Sequence, residues 1–164
     1  MIRAITICQP YAELIMLGCK TVENRKWPLK PGPIVIHAGK SKTWWKTYRN
    51  EDGPINREQV PYGCVVGVAN VIGCAKIDDD WGQFENHRNH HASGPVCWLL
   101  SEVRRVAEVF PATGKQGLWN LQPFHWQTQL MLEPTATEAG AFTIASYFEK
   151  FKPSDPKQNP LRKG

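Results

Sequence analysis

No stretch of this 164-residue chain approaches the roughly 18 consecutive apolar residues that a membrane-spanning helix requires. No membrane partner is therefore expected. The opening Met1 to Cys8 holds only a short apolar stretch before Gln9-Pro10, so no signal peptide is expected either. Cysteine is sparse and badly spaced for structural use. Cys8, Cys19, Cys64, Cys74 and Cys97 are odd in number and form no C-x-x-C pair, which argues against a disulfide framework and a zinc ribbon. A reducing, cytoplasmic setting follows as the default. The chain also lacks G-x-S-x-G, H-E-x-x-H, a phosphate-cradling glycine loop and any internal repeat. His87-Arg88-Asn89-His90-His91, after Asp78-Asp79-Asp80, has no recognised metal-ligand spacing and reads as a solvated loop. No metal and no cofactor is expected.

Acidic residues are scarce in the first 50 positions, where only Glu13 and Glu23 oppose nine lysines and arginines. Residues 51–100 reverse the balance, and the net charge of +5 comes from the N-terminal third and the last residues. Such clustering suits a polyanionic partner, although a merely solvated basic face would look the same. Hydrophobic residues make up 41% and charged residues 21%, an ordinary globular composition. The length fits one domain, expected over residues 1–152, with a polar, flexible tail over 153–164. Seven tryptophans are many for this size and raise the prospect of a stacking surface beside the core.

Punctuation along the chain is clear. Ile5 to Cys8 reads as a strand, and Gln9-Pro10 opens a helix that Gly18 stops. Thr21 to Arg25 alternates like a strand, and Ile34 to Ala38 is a β-branched strand. Ser41 is placed to cap a helix over 42–49. The run Cys64 to Ile77 is a long strand with glycines at 67 and 73, where bends are expected. Strands follow at 96–100 and 103–110, a short one near Leu118 to Leu121, and a closing helix within 137–150. Many short strands with two or three helices give an α+β chain on a closed or nearly closed sheet.

Gly18-x-Lys20-x-x-Glu23-x-Arg25 resembles the G-x-K-x-x-E-x-R signature of the ASCH domain family. The blocks around it are similar to that family too: Gln9-Pro10-Tyr11-Ala12, Trp27-Pro28, Ile36-His37-Ala38-Gly39-Lys40, and Gly114-Lys115-Gln116-Gly117-Leu118-Trp119. The resemblance covers roughly residues 3–121 and implies a PUA-like small mixed β-barrel whose cleft is lined by the signature strand. It also implies binding of RNA or single-stranded nucleic acid, or of a nucleotide or modified nucleoside. Some family members are enzymes: one branch hydrolyses the amide of N4-acetylcytidine with a Lys, a Thr and a Glu, and another is described as a ribonuclease.

Lys20, Glu23 and Arg25 are the leading candidates. Two apart on a strand, Glu23 and Arg25 share a face. Arg25 would clamp a phosphate bidentately or fix Glu23 as a structural ion pair. Lys20 would neutralise a phosphate or, deprotonated by burial, serve as a base. Glu23 would accept from a base edge. As an enzyme the chain would lean on Lys20 and Glu23, but the amidohydrolase nucleophile sits three residues after the lysine, and that position is Glu23. Carboxylate attack on an amide would give an anhydride, which is unusual chemistry. Trp27, His37, Lys40 and Trp119 complete the expected ligand-binding set, with Trp27 and Trp119 as stacking candidates and His37 as a phosphate donor or a satisfied strand-end residue. Trp98, between Cys97 and Leu99, reads as core. Trp44-Trp45 among Lys40, Lys42 and Lys46 reads as a basic aromatic helix or as barrel covering.

Overall fold

The computed structural model describes residues 2–121, 131–135 and 142–152. Six strands form one mixed sheet: β1 (Ile2–Ile7), β2 (Val22–Arg25), β3 (Gly32–Ala38), β4 (Cys64–Lys76), β5 (Val96–Pro111) and β6 (Leu118–Leu121), in the order β2-β5-β4-β3-β1-β6. β1 runs parallel to β3 and every other pair is antiparallel. The flanking helices are α1 (Tyr11–Met16) and α2 (Ile144–Lys150), with 3-10 turns at Thr43–Lys46 and Gly82–His87. This is the α+β class expected from the sequence. Among the described residues the sheet does not close: β2 and β6 are its two edges, and the Arg25 side chain of β2 reaches across to β1.

Alternation along β3 explains how the sheet is covered. Ile34, Ile36 and Ala38 face one apolar cluster with Ile5, Ile7, Ile15 and Trp98, while Val35 faces the other, with Val68, Trp119, Leu121 and Tyr147. Both faces are buried, so the whole strand is buried. Curvature comes from β4 and β5, whose register slips between Val65 and Gly67, Val68 and Asn70, and Val71 and Gly73. Extra residues in one strand of a pair bend it and increase its twist. Glu102, at φ 50°, sits at one of these bulges. It joins what the sequence reads as two strands, 96–100 and 103–110, into one of 16 residues.

One helix expectation needs correction. The helix over 42–49 is a single 3-10 turn at Thr43–Lys46 with no buried residue, so it has no apolar face to stabilise it. Ser41 does receive the Thr43 backbone N–H, at 3.3 Å. The closing helix is described only from Ile144, capped by Thr143, whose hydroxyl accepts from the Ser146 N–H at 3.1 Å. Residues 137–141 of that expectation and the tail over 153–164 lie outside the described residues. Gly18 ends the α1 segment in the left-handed region, at φ 79°.

Gly67 is where α1 packs onto β4. A Cβ there would run into the Arg104 carbonyl oxygen and the Met16 sulfur, whereas one on Gly73 would find its nearest neighbour 3.8 Å away. Overpacking against backbone costs about 1–3 kcal/mol. Urea denaturation should therefore show Gly67→Ala destabilised by that amount, with Gly73→Ala within about 1 kcal/mol of the parent.

Candidate functional site

The signature strand presents its charges to a cleft of about 480 Å³. Lys20 emerges where the chain turns from Gly18 into β2, and its Nζ lies 2.8 Å from Glu23 Oε2 while also donating to the Val22 carbonyl. Glu23 and Arg25 share a face of β2, as a two-residue strand period dictates, and Arg25 Nη2 meets Glu23 Oε1 at 2.9 Å. The carboxylate is thus held between two cations, one on each oxygen. All three side chains are largely buried, Lys20 at 4% and Glu23 at 8% exposure. Arg25 Nη2 also donates to the Thr6 carbonyl at 3.1 Å, tying the β2 edge to β1. Its guanidinium lies 5.8 Å from the Trp98 ring, on the next strand. Arg25 Nε is buried and has no hydrogen-bond partner among the described residues.

The rest of the lining is largely aromatic and comes from α1 and from loops. Tyr11, at the start of α1, is edge-on to Trp44 at 6.1 Å and to His91 at 6.5 Å. Trp44 projects from the 3-10 turn and is 49% exposed. His90 and His91 hang from the loop before β5. That loop is sewn to β2 by Asn24, whose Nδ2 donates to the His91 carbonyl at 2.8 Å while its Oδ1 accepts from the Ser93 and Gly94 N–H groups. Asp52 reaches in from the 50–61 loop and accepts from His91 Nε2 at 2.7 Å. Cys8 borders the cleft floor. Burial raises its thiol above the usual range, Arg25 opposing and Glu23 adding to the effect, so it is a poor nucleophile.

Of the residues singled out in the sequence, Lys20, Glu23 and Arg25 lie together on the cleft wall; Trp27, His37, Lys40 and Trp119 do not line it. Trp27 packs its ring edge-on to Trp98, and its carbonyl accepts from Trp98 Nε1 at 2.7 Å. His37 and Trp119 pack against each other behind β1, and Trp119 Nε1 donates to the Thr6 hydroxyl. Lys40 lies exposed over Gly63. Sequence reasoning left out Tyr11 and Asp52, kept Trp44 open between a basic aromatic helix and barrel covering, and read the 87–91 histidines as solvated loop. Tyr11 stood in the Gln9-Pro10-Tyr11-Ala12 block, a signal that was available. Nothing in the sequence joins Asp52 to His91.

A small α+β domain whose open sheet edge carries a buried Lys-Glu-Arg cluster beside an aromatic-walled cleft defines the class. The chain belongs to the ASCH domain family, whose sequence model matches residues 5–116. Activating signal cointegrator 1 of Homo sapiens is 22% identical over 130 residues, covering 71% of this chain and 22% of that protein, so the chain spans about a fifth of that relative's length. Among solved structures, ASCH from Zymomonas mobilis aligns at a TM-score of 0.47 and 17% identity, covering 76% of this chain and 90% of that one. A serine-to-alanine variant of the same protein aligns at 0.45 and 18%, covering 74% and 88%. No helix among the described residues is long and apolar enough to cross a membrane.

Two predictions follow from the charges. Removing one partner of a buried ion pair leaves the other uncompensated, at a cost of about 3–5 kcal/mol. Glu23→Gln should lose that much in urea denaturation; a loss under about 1 kcal/mol would mean the cluster behaves as a solvated surface pair. The second concerns His37, whose Nε2 donates to the Ala112 carbonyl at 3.0 Å while Nδ1 is buried without a hydrogen-bond partner among the described residues, 2.6 Å from where a Cβ on Gly114 would stand. Burial holds His37 below the ordinary imidazole value of 6.5, against the pull of the Ala112 hydrogen bond. The unfolded chain then binds the extra proton first, so this contribution to stability is complete above pH 6.5 and is lost as pH falls below it. Melting curves against pH should show that decline reduced in His37→Gln, and an unchanged profile would count against it.

Proposed function

We propose that the cleft binds one nucleotide of RNA or single-stranded nucleic acid, its phosphate on the Arg25 side and its base against Tyr11 and Trp44. One observation carries the reading: a charged cluster with a surplus positive charge and a set of aromatic side chains line a single cleft. Lys20 and Arg25 outnumber Glu23 by one charge, and Arg25 Nε is a buried donor without a partner among the described residues. A volume of about 480 Å³ falls in the range of small-ligand sites, about 300–1,000 Å³, and suits one nucleotide, not a duplex. Unstacked bases of single strands are free to stack on aromatic side chains, which paired bases cannot do without flipping out. The basic N-terminal third supplies the longer-range field that draws a polyanion toward this edge.

Binding is favoured over hydrolysis. Both oxygens of Glu23, which stands where the amide-hydrolysing branch has threonine, are engaged by cations, and a carboxylate so neutralised is a weak nucleophile. The one thiol bordering the cleft is kept protonated by burial.

The test is a salt-titrated fluorescence assay with a single-stranded RNA oligomer, the matching duplex and a mononucleotide. Trp44→Ala should weaken single-strand binding by about 1–3 kcal/mol without changing the salt slope. Arg25→Gln should lower the slope by about 1. Failure to bind single strands or nucleotides at low salt, or equal affinity for the duplex, would overturn the proposal.

A further inference from the structure

We propose that Asp52, His90 and His91 form a binding site for a divalent transition-metal cation at the rim of the cleft, with Zn²⁺ the ion its donors favour. The three side chains come from two loops about 38 residues apart in the chain, yet they converge on one point. His91 Nε2 lies 2.7 Å from Asp52 Oδ2, and His90 Nε2 lies 3.2 Å from Asp52 Oδ1. One donor atom from each residue falls within 4.8 Å of the others. A tetrahedral ion with bonds of about 2.0–2.1 Å places its ligand atoms about 3.3 Å apart. The two histidine–carboxylate pairs stand near that spacing, and the His91–Asp52 contact has to open by about half an ångström to admit an ion.

Two consecutive imidazoles turned on the same carboxylate are what sets this group apart from an ordinary Asp–His hydrogen bond, where one ring suffices. Their ring centroids are 4.0 Å apart and tilted by 41°. Their backbone is fixed before any ion arrives. Asn24 holds the His91 carbonyl, Asn89 Oδ1 accepts the His91 N–H at 3.0 Å, and the Asp52 turn is pinned by the Tyr48 hydroxyl on the Gly53 carbonyl at 2.7 Å. Supporting hydrogen bonds of this kind orient the ligands of metal sites. The Asp52 and His91 side chains are 10% and 7% exposed, so neither is a freely solvated group.

Donor chemistry selects the ion. Two imidazoles and one carboxylate suit Zn²⁺ or a related first-row cation, whereas Mg²⁺ and Ca²⁺ prefer all-oxygen sets. Three protein ligands leave at least one coordination position for an outside oxygen. His90 and His91 line the cleft, so that position opens on the space assigned to the nucleotide. Resting on that reading, an oxygen of the bound nucleotide is the outside ligand.

Chelator-stripped full-length protein is titrated with Co²⁺ alone, then Zn²⁺, without nucleotide. The expected result is one equivalent bound, visible d–d bands, displacement by Zn²⁺, and no thiolate charge-transfer band despite five cysteines. Asp52→Asn and His91→Ala should each weaken binding at least about a hundredfold, more than loss of an outer-shell partner costs. His87→Ala, in the same loop but hydrogen-bonded to Thr21, should bind as the parent does. If either variant loses its melting transition, His90→Ala, at a half-exposed position, takes its place with the same expected loss. No stoichiometric binding, a thiolate band, or affinity unchanged in the variants overturns the site. With nucleotide absent from the titration, such a failure leaves the nucleotide reading to its own assay.

Discussion

A buried carboxylate between two cations is the constraint on which this edge of the molecule depends. Glu23 is almost wholly out of water, where an unpaired carboxylate is costly, and Lys20 and Arg25 take one oxygen each. Arg25 then uses the same nitrogen to hold the Thr6 carbonyl, so the charge cluster also ties the β2 edge to β1. A buried ion cluster adds little net stability over a well-packed apolar replacement. Its consequence is placement. The sheet is held curled but open, and the space between β2 and β1 becomes a cleft with fixed charge on one side.

β2 is only four residues long, and its period of two divides the work. Glu23 and Arg25 face the cleft cluster, while Val22 enters the small apolar group with Trp81, Cys97 and Leu99. Asn24 turns the other way from its charged neighbours and secures the histidine loop through one donated and two accepted backbone hydrogen bonds. One short strand therefore fixes both the cationic wall and the loop facing it. Trp98, directly opposite Glu23 in the ladder, backs the arrangement with a fully buried ring.

Much of the fold was legible because its strands are written in local pattern. β3 and β4 show as β-branched runs with glycine at the bends, and Gly18 shows as a helix stop. The Lys20, Glu23 and Arg25 grouping was legible for the same reason, since strand periodicity alone brings 23 and 25 together. What failed was inference from proximity along the chain. Trp27 is two residues beyond Arg25 but past the end of β2, where it packs on Trp98 instead of the cleft. His37 and Trp119 belong to strands flanking β1, and their rings meet behind it. The other wall was illegible because Trp44, Asp52 and His91 lie on irregular segments, whose placement depends on tertiary hydrogen bonds and not on any period.

The two walls differ in how they are held, and that difference bears on what each is able to decide. The cationic wall sits on ladder-paired strands, with its charges locked by one another and by backbone carbonyls. It offers an invariant feature, a positive surplus, which any phosphate satisfies. Of the aromatic and histidine wall, Tyr11 sits on α1, while Trp44 and the histidines ride on loops fastened at a few points: Asn24 to the 91–94 backbone, Asp52 to the imidazoles, the Thr47 hydroxyl to Tyr11. Loops carried by a rigid frame change shape and composition at little cost to the fold. On the proposed reading, recognition of the anion falls to the strand side and discrimination among bases to Tyr11 and Trp44. Substitutions on the two sides should then separate cleanly, one altering affinity for all ligands alike and the other altering which ligand is preferred.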